Sequence, residues 1–191
     1  MGHVASIDWS SLAPYWVSLV DNTDPGVISV TDGGRKIQST DGNNGNNARG
    51  FVKGTARGAF KIQFILGYSW GWSELSVANV AAVTQSTPNS TYYQDSSYNG
   101  IAFFNNSSNN TLRVYKSVLG TDSTVTNYTG GLNNVMITLW RDGSNVVKYK
   151  EGSTTEVTIG TFADHWCFIS GAQSPSSTEL ISAYNIGDSA S

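Results

Sequence analysis

The chain contains a single cysteine, Cys167, among its 191 residues. No disulfide framework within the chain can therefore hold the fold together. Charged residues are also scarce, at 13% of the sequence against roughly a quarter in ordinary globular domains. No apolar run approaches the roughly 18 residues that a membrane-spanning helix needs. The first residues lack a charged and apolar leader, so we expect neither a secretory signal peptide nor a membrane partner.

Polarity in this chain comes from asparagine, serine, threonine and glycine instead of charge. Basic residues number 11 and acidic residues 14, for a formal net charge of −3, which argues against a nucleic-acid partner. Hydrophobic residues make up 39%, enough for one large domain with a real core. This mixture favours strands joined by turns.

Short strand patterns follow one another along the whole sequence. Hairpins are predicted over residues 27–38, 100–118 and 135–150, and further strands over 125–129, 156–162, 166–170 and 180–186. Only residues 74–84 have any helical character, weakened by three valines. We predict an all-β chain folded as one domain over residues 1–191, a two-sheet antiparallel β-sandwich of the jelly-roll kind.

A basic stripe is predicted in residues 49–61, which read RGFVKGTARGAFK. Three glycines in nine residues exclude a helix, because each costs roughly 1 kcal/mol against alanine. Read as a strand, bent or broken, the segment alternates through residue 66, with a basic outer face and a small, apolar inner face. The outer residues are Arg49, Lys53, Arg57 and Lys61. They indicate an anionic or sugar-rich partner, and the alternative is a solvated strand face.

Aromatic side chains provide the predicted binding surface. Tyr68, Trp70 and Trp72 alternate through a glycine-rich segment, so they share one face if the strand continues past residue 66. Glycines 67 and 71 would leave space beside the rings, where a sugar could stack. Tyr92 and Tyr93 stand in a polar stretch whose composition resembles an antibody paratope. The alternative is that the tryptophans fill a second small core and the tyrosines are incidental.

The remaining tryptophans are predicted to pack in the core or at its edge. They are Trp9, Trp16, Trp140 and Trp166.

The residues for catalysis are mostly missing. A glycosidase needs two facing carboxylates, and none of the four glutamates has an acid two or four positions away in a strand-like run. Glu74 follows the tryptophans and is the one candidate acid, although a residue at the start of an element is the simpler interpretation. His165 and Cys167 lie in an apolar run, which favours a structural imidazole and an inert thiol. We therefore predict no enzyme activity.

No metal or cofactor is predicted either. Asp41, Asn43 and Asn47 form a loop that could chelate calcium only weakly, since it offers one carboxylate. No zinc pattern, phosphate loop or Ser-His-Asp arrangement is recognisable.

Two segments resemble a known fold family. Residues 135–152 read VMITLWRDGSNVVKYKEG, and residues 179–188 read ELISAYNIGD. The first is similar to the hairpin of concanavalin A-like and laminin-G-like domains, with an apolar strand, Arg-Asp-Gly and a second strand carrying an aromatic ring. The second is similar to their final strand. The resemblance implies a jelly-roll sandwich, a fold that hosts lectins, adhesion modules, hydrolases, lyases and viral coat or fibre domains. It implies no particular ligand residues.

Composition suggests the biological setting. An all-β chain rich in Asn, Ser, Thr and Gly, with a Met start, no leader and no catalytic set, resembles a phage or viral protein made in the host cytoplasm. We expect a non-catalytic virion structural or accessory protein (fibre, spike or decoration) that attaches to the particle and to host surface glycans. Expected partners are other virion proteins or copies of itself in a homotrimer. The alternative is a carbohydrate-binding module of a secreted protein, and after that a polysaccharide hydrolase or lyase.

Overall fold

The computed structural model describes residues 16–21, 28–32, 35–39, 47–68, 72–79, 99–106, 111–129, 134–173, 176–184 and 187–188. These residues form fifteen strands and no α-helix. In chain order the strands are β1 (Trp16–Asp21), β2 (Ile28–Thr31), β3 (Lys36–Ser39), β4 (Asn47–Ala56), β5 (Phe60–Tyr68), β6 (Trp72–Asn79), β7 (Gly100–Asn106), β8 (Thr111–Val118), β9 (Thr121–Thr129), β10 (Met136–Arg141), β11 (Val146–Glu151), β12 (Val157–Thr161), β13 (Trp166–Gln173), β14 (Ser176–Tyr184) and β15 (Gly187–Asp188).

The strands build two antiparallel sheets. The eight-stranded sheet runs in the order β1-β4-β13-β6-β7-β8-β9, with β15 pairing β4. The seven-stranded sheet runs in the order β12-β11-β10-β5-β14-β3-β2. The prediction of an all-β, two-sheet antiparallel sandwich is confirmed.

The core lies between the sheets and is built by alternate residues of the central strands. Phe64 of the seven-stranded sheet meets Phe103 of the eight-stranded sheet at 5.3 Å between ring centroids, and Phe103 meets Tyr149 at 5.3 Å. Both contacts are edge-to-face, the geometry that ring quadrupoles favour. Full burial of each such side chain stabilises the fold by roughly 1.5–3 kcal/mol. The central hairpins predicted from alternation therefore supply the core.

The predicted basic strand is two strands in different sheets. β4 ends at Ala56 in the eight-stranded sheet, and β5 begins at Phe60 in the seven-stranded sheet. The crossing leaves Arg57 and Gly58 exposed. Ala56 and Phe60 are both buried, so the alternation of inward residues continues across the break with the same parity. A single continuous strand face was therefore the wrong expectation, because a sequence pattern of period two does not register the change of sheet.

The stretch with helical character is also a strand where the structure describes it. Residues 74–79 belong to β6, and residues 80–84 lie outside the described part. β6 is buried on both faces: Leu75 and Val77 join the core, while Glu74, Ser76 and Ala78 are buried on the opposite side. Glu74, Leu75, Ser76 and Val77 alternate between polar and apolar, the period of a strand, so the helical character of the longer segment was misleading over these residues.

Arg141, the arginine of the Arg-Asp-Gly motif, has a structural role. Its side chain is 1% exposed and donates hydrogen bonds to four backbone carbonyls, those of Ala56 (3.1 Å), Gly58 (2.8 Å), Phe162 (3.1 Å) and Asp164 (2.7 Å). The guanidinium also lies over the rings of Phe60 at 5.3 Å and Trp166 at 5.0 Å. Burial lowers the pKa of Arg141, and the nearby Asp164 carboxylate opposes this shift. One side chain thus joins the β4–β5 crossing to the segment between β12 and β13.

The adjacent turn is closed by Asp142. Its carboxylate accepts hydrogen bonds from the backbone N–H groups of Ser144 (2.8 Å) and Val146 (3.0 Å). Asn145 adopts a φ of 63°, a left-handed conformation that asparagine tolerates. The predicted hairpin at residues 135–150 is confirmed as β10 and β11.

The β8–β9 connection is a tight turn that the sequence did not signal. Leu119 and Gly120 link the strands with φ values of 49° and 73°. Positive φ at both central residues is typical of the type I′ hairpin turn, which usually carries Asn-Gly. The leucine side chain is 65% exposed and Val118 beside it is 48% exposed. A bulky aliphatic residue therefore occupies a strained and solvated position.

Candidate functional site

The predicted aromatic patch is divided by the change of sheet. Tyr68 is the last residue of β5, in register with Ser176, whereas Trp72 opens β6 in the other sheet, in register with Gln173. The condition set for a shared face, one strand that continues through residue 72, is therefore not met. Trp70, Tyr92 and Tyr93 lie outside the described residues. A contact role for these aromatic residues stays a prediction.

The position that a side chain at residue 67 would occupy is closely packed. A Cβ atom at this position would lie 2.7 Å from the Asn134 side-chain oxygen and 2.9 Å from the Ser177 hydroxyl. The glycine is buried and its surroundings are filled. The glycine thus leaves room for the side chains of Asn134 and Ser177.

The four basic residues of the predicted stripe are also separated. Arg49 and Lys53 belong to β4, with Arg49 in register with Gly171 of β13. Arg57 is exposed at the crossing between sheets, and Lys61 is exposed on β5. Lys61 is instead in register with Trp140 of β10 on one side and Tyr184 of β14 on the other.

The outward face of the seven-stranded sheet carries a tryptophan among basic and polar residues. On β10, Ile137 and Leu139 enter the core, so Thr138 and Trp140 point the opposite way. The same alternation on β5 and β11 places their polar residues on this outward face. We call this surface the Trp140 patch, and its members are Lys61, Gln63, Thr138, Trp140, Lys148, Lys150 and Ser182.

The strand register centres this patch on the indole ring. Trp140 is directly opposite Lys61 on one side and Lys148 on the other. Directly opposed side chains on one face have Cβ atoms about 5 Å apart. Lys150, opposite Thr138, is diagonal to the ring at about 7–8 Å. Trp140 is half-buried and Lys150 is exposed, so both residues reach solvent on this face.

A fixed polar network adjoins the ring. The Ser182 hydroxyl donates to Gln63 Oε1 at 2.6 Å, and Gln63 Nε2 donates to the Thr138 hydroxyl at 3.3 Å. Both ends of the glutamine amide are held, which fixes its orientation. Thr138 is 2% exposed, whereas Gln63 and Ser182 are half-buried. The network is therefore anchored on a buried residue and reaches toward the surface.

Two carboxylates balance part of the positive charge. Lys148 Nζ lies 2.8 Å from Glu156 Oε1, and this hydrogen bond raises the pKa of Lys148, with the Asp142 carboxylate adding a further attraction. The lysine stays charged throughout the neutral range. Glu179 lies farther along the same face, in register with Ile65 and, on its other side, with Lys36.

On the outward face of the eight-stranded sheet, the polar side chains of β6 are buried, in contrast to the exposed lysines of the Trp140 patch. Ser76 donates a hydrogen bond to the Glu74 carboxylate, and both residues are buried. Glu74 has Phe104 and Gly171 as its neighbours on adjacent strands, neither of them acidic. Among the described residues, no second carboxylate stands directly beside it on those strands, where a two-carboxylate glycosidase would need one.

The histidine and cysteine near the core have structural surroundings. His165 Nε2 is 2.8 Å from the Thr55 hydroxyl, and burial, with Arg57 and Arg141 nearby, lowers the pKa of the imidazole. Burial raises the pKa of the Cys167 thiol to about 12, and its sulfur donates to the Ala78 carbonyl at 3.4 Å. A thiol with so high a pKa is a poor nucleophile at neutral pH.

The side chains that could ligate a metal are dispersed. Within the described ranges, no group of three or more His, Cys, Asp and Glu side chains could hold a metal ion. Of the three residues considered as calcium ligands, Asn47 is the first residue of β4, while Asp41 and Asn43 lie outside those ranges. Those ranges also contain no helix long and apolar enough to cross a membrane.

Sequence reasoning missed the Trp140 patch because it placed Trp140 in the core or at its edge. A local signal existed: Lys148 and Lys150 alternate with apolar residues, and the turn at residues 142–145 places Lys148 opposite Trp140. The pairing of Trp140 with Lys61 could not be inferred locally. The two residues are far apart in the sequence and become neighbours only when β5 and β10 pair in the sheet.

Comparison with known proteins identifies the fold. No family model and no curated protein matches the sequence. A protein of unknown function with a galectin-like fold from Bacillus subtilis matches with a TM-score of 0.61 and 9% identity, over 96% of this chain and 97% of that chain. The VIP36 exoplasmic/lumenal domain, in a form bound to Ca²⁺ and Man3GlcNAc, gives a TM-score of 0.60 and 10% identity, over 96% of this chain and 89% of that chain. The TRIM65 PSpry domain gives 0.54 and 9%, over 81% and 83%. The chain therefore has the galectin-like, concanavalin A-like β-sandwich fold.

Proposed function

We propose that this chain is a non-catalytic carbohydrate-binding domain and that the Trp140 patch is its contact surface. The observation that carries the proposal is the half-buried indole on an outward sheet face, next to the held amide of Gln63. An aromatic face stacks on the C–H face of a sugar ring, and nearby amides, hydroxyls and ammonium groups bind its hydroxyls. The VIP36 form bound to Man3GlcNAc is a precedent for this sandwich with a saccharide.

Three of the four glutamates support a binding role without catalysis. Glu74 and Glu151 are buried, and Glu156 is bonded to Lys148. A glycosidase needs one carboxylic acid and one carboxylate facing each other across a substrate. None of these three side chains is placed for that role beside the indole.

Within this function, we propose that the domain belongs to a virion appendage or accessory protein. The support is the composition of the chain, rich in Asn, Ser, Thr and Gly, together with a fold that can present weak sugar sites. A homotrimer would raise the avidity of such sites. The alternative setting is a secreted carbohydrate-binding module. Mass spectrometry of purified particles tests the first setting, and light scattering at tens of micromolar tests the trimer.

Replacement of the indole tests the proposed contact surface. Trp140→Ala should weaken binding to glycan-array hits at least tenfold, because a stacked aromatic at a contact centre contributes about 2 kcal/mol. The matched control is Tyr115→Ala, which removes a half-buried ring from the outward face of the other sheet. Circular dichroism should show both variants folded. Equal binding by wild type and Trp140→Ala would exclude this surface, and a similar loss in Tyr115→Ala would move the site to the other sheet.

A second pair of variants tests the aromatic residues predicted from sequence. Trp70→Ala and Trp72→Ala should reduce glycan or particle binding, with melting temperatures that stay within a few degrees, if these rings form a further contact surface with Tyr68, Tyr92 and Tyr93. A variant that unfolds would assign that ring to packing.

A further inference from the structure

We propose that Gln63 determines the specificity of the Trp140 patch, and that the sugar unit it recognises carries two adjacent free hydroxyl groups. This inference rests on the proposed function and specifies its ligand class. It depends on the hydrogen-bonding sites that the folded sheet leaves on one side-chain amide.

The strand register places Gln63 between two hydroxyl groups. Its neighbours across the sheet are Thr138 of β10 and Ser182 of β14. The Ser182 hydroxyl donates to Gln63 Oε1 at 2.6 Å, and Gln63 Nε2 donates to the Thr138 hydroxyl at 3.3 Å. A rotation of the amide would break one of these bonds, and Thr138 is buried where water could not replace it. The amide is therefore held in one orientation before any ligand arrives.

Those two bonds occupy half of the amide. A glutamine amide has two N–H donors and two lone pairs on its oxygen. Within the described part of the chain the amide makes only the two bonds to Ser182 and Thr138, which leaves one N–H and one lone pair. Because Gln63 is half-buried, its side chain reaches solvent. The count is unchanged if nitrogen and oxygen are exchanged, since both hydroxyls can donate or accept.

A donor beside an acceptor matches two adjacent hydroxyl groups of a sugar. One hydroxyl accepts from the amide N–H, and its neighbour donates to the amide oxygen. A carboxylate or sulfate group has acceptors only, so it would leave the amide oxygen facing another oxygen. A sugar with an O-methyl group at either position lacks one of the two hydroxyls. The held amide thus selects a vicinal diol.

The indole and the amide are spaced for one sugar unit. Gln63 is directly opposite Thr138, and Trp140 lies two residues farther along β10 on the same face. Such diagonal neighbours are about 7–8 Å apart. A sugar ring stacked on the indole would therefore extend its edge toward the amide. The indole provides apolar contact, and the amide distinguishes one pattern of hydroxyl groups from another.

Paired oligosaccharides test whether the hydroxyl pair is recognised. The probes are tetraoses of β-1,4-linked glucose, mannose and galactose, each compared with the form that is O-methylated at positions 2 and 3. Methylation keeps the carbon skeleton and removes the adjacent hydroxyl groups. Calorimetry on the full chain should show at least one unmodified tetraose binding about tenfold or more tightly than its methylated form, because two hydrogen bonds are lost.

A glutamine variant connects this preference to the amide. Gln63→Leu has a side chain of similar size without the amide, so the preference should disappear while weaker binding that depends on Trp140 persists. The matched control is Gln38→Leu. Gln38 is a half-buried glutamine of β3 on the same face of the same sheet, and it is also in register with a serine of β14, Ser177. This control should keep the full preference.

A second variant tests whether the amide must be held. Ser182→Ala leaves Gln63 in place and removes one of the two groups that fix its orientation. The preference for the unmodified tetraose should therefore decrease severalfold, while binding that depends on Trp140 remains. Circular dichroism checks that each variant folds. If Gln63→Leu does not fold, Ser182→Ala decides the question, and a full preference in that variant would contradict the proposal.

Three results would overturn the proposal, and they separate it from the proposed function. If wild type binds unmodified and methylated forms equally and Trp140→Ala loses both, the recognition of a hydroxyl pair is wrong and the sugar-binding function stands. If the preference survives in Gln63→Leu, or is lost equally in Gln38→Leu, the recognition lies elsewhere. If wild type binds none of the tetraoses, this proposal fails, and a glycan array without hits would show that the proposed function fails with it.

Discussion

Arg141 holds two places where the chain passes from one sheet to the other, between β4 and β5 and between β12 and β13. Its guanidinium supplies the hydrogen-bond donors for carbonyls at the β4–β5 crossing and in the segment before β13. Arginine suits this position because its planar group offers five donors and remains charged when buried. The compensation comes from carbonyl dipoles and two aromatic faces, with the Asp164 carboxylate adding a longer-range attraction.

Replacement of Arg141 should therefore be costly. Arg141→Met should lower the free energy of unfolding by about 3 kcal/mol or more, because several buried carbonyls lose their donors at once. Urea unfolding followed by tryptophan fluorescence measures the change. The control is Arg113→Met, which removes a half-buried arginine that donates to the Tyr115 hydroxyl. If the two variants lose similar stability, Arg141 does not hold the crossings in the way described.

His165 makes a second prediction at the residue scale. The pKa of its imidazole is lowered in the folded state from an ordinary value of 6.5 by burial, Arg57 and Arg141. The unfolded chain therefore binds a proton at a higher pH than the folded chain does. The contribution of His165 to stability is full above about pH 6.5 and is lost as pH falls through the folded pKa.

Unfolding measured from pH 7.5 to pH 5 should show this effect. Wild type should lose more stability over the acidic part of that range than His165→Gln, which has no titrating ring but can still bond to Thr55. An NMR titration should place the imidazole pKa below 6.5, with His3→Gln used to assign the signals. A folded pKa above 6.5, or identical pH profiles for the two proteins, would contradict the prediction.

At the scale of elements, the β8–β9 hairpin contains removable strain. Leu119 holds a φ of 49° that costs a branched residue roughly 1 kcal/mol, and its side chain gains little since it is largely exposed. Leu119→Asn should raise the free energy of unfolding by about 0.5–1 kcal/mol, because asparagine adopts this conformation readily. The backbone N–H of residue 119 would keep its hydrogen bond to Asn99.

The neighbouring position provides the control for the hairpin. Val118→Asn puts the same side chain on an exposed strand residue with ordinary φ, so it should not stabilise. A loss of stability in Leu119→Asn would mean that the leucine makes a contact that its exposure does not reveal, with a second copy or another partner.

The elements that sequence predicted best are the hairpins that are marked by their turns. Residues 100–118 and 135–150 each place two strand-like runs about a turn rich in asparagine, serine or glycine, so both the strands and their pairing could be read locally. β6 was missed because residues 74–84 form one longer stretch, in which the alternation of residues 74–77 is too short to decide between strand and helix. The β8–β9 turn was missed because leucine stands where asparagine is usual. The Trp140 patch required Lys61 and Trp140 to meet, and that meeting is set by the order of strands in the sheet.

At the scale of the whole molecule, backbone amides in the central strands of each sheet should exchange hydrogen more slowly than those in the end strands. β5 is held between β10 and β14, and β6 between β13 and β7, whereas β9 and β12 end their sheets. In native-state hydrogen exchange, amides of Ile62, Phe64, Leu75 and Val77 should be among the slowest. Those of residues 121–124 should exchange much faster, since they are exposed on an end strand.

Exchange along β9 also reports on assembly. If its amides were protected as strongly as those of β5 at high protein concentration but not at low, the edge would be paired with another chain. Protection at all concentrations would contradict the position of β9 at the end of its sheet.

The position of β14 has a consequence for folding during translation. This strand lies between β5 and β3, yet residues 176–184 follow every other strand of the seven-stranded sheet in the sequence. While the ribosome is still making the chain, β3 and β5 each present an unpaired edge that only this late strand can occupy. The pairings are also remote in sequence, which slows folding and prolongs that exposure. The nascent protein thus passes through a stage in which the strands on both sides of β14 have been made but β14 has not. At that stage a chaperone, or another nascent chain on the same polysome, would bind the unpaired edges of β3 and β5.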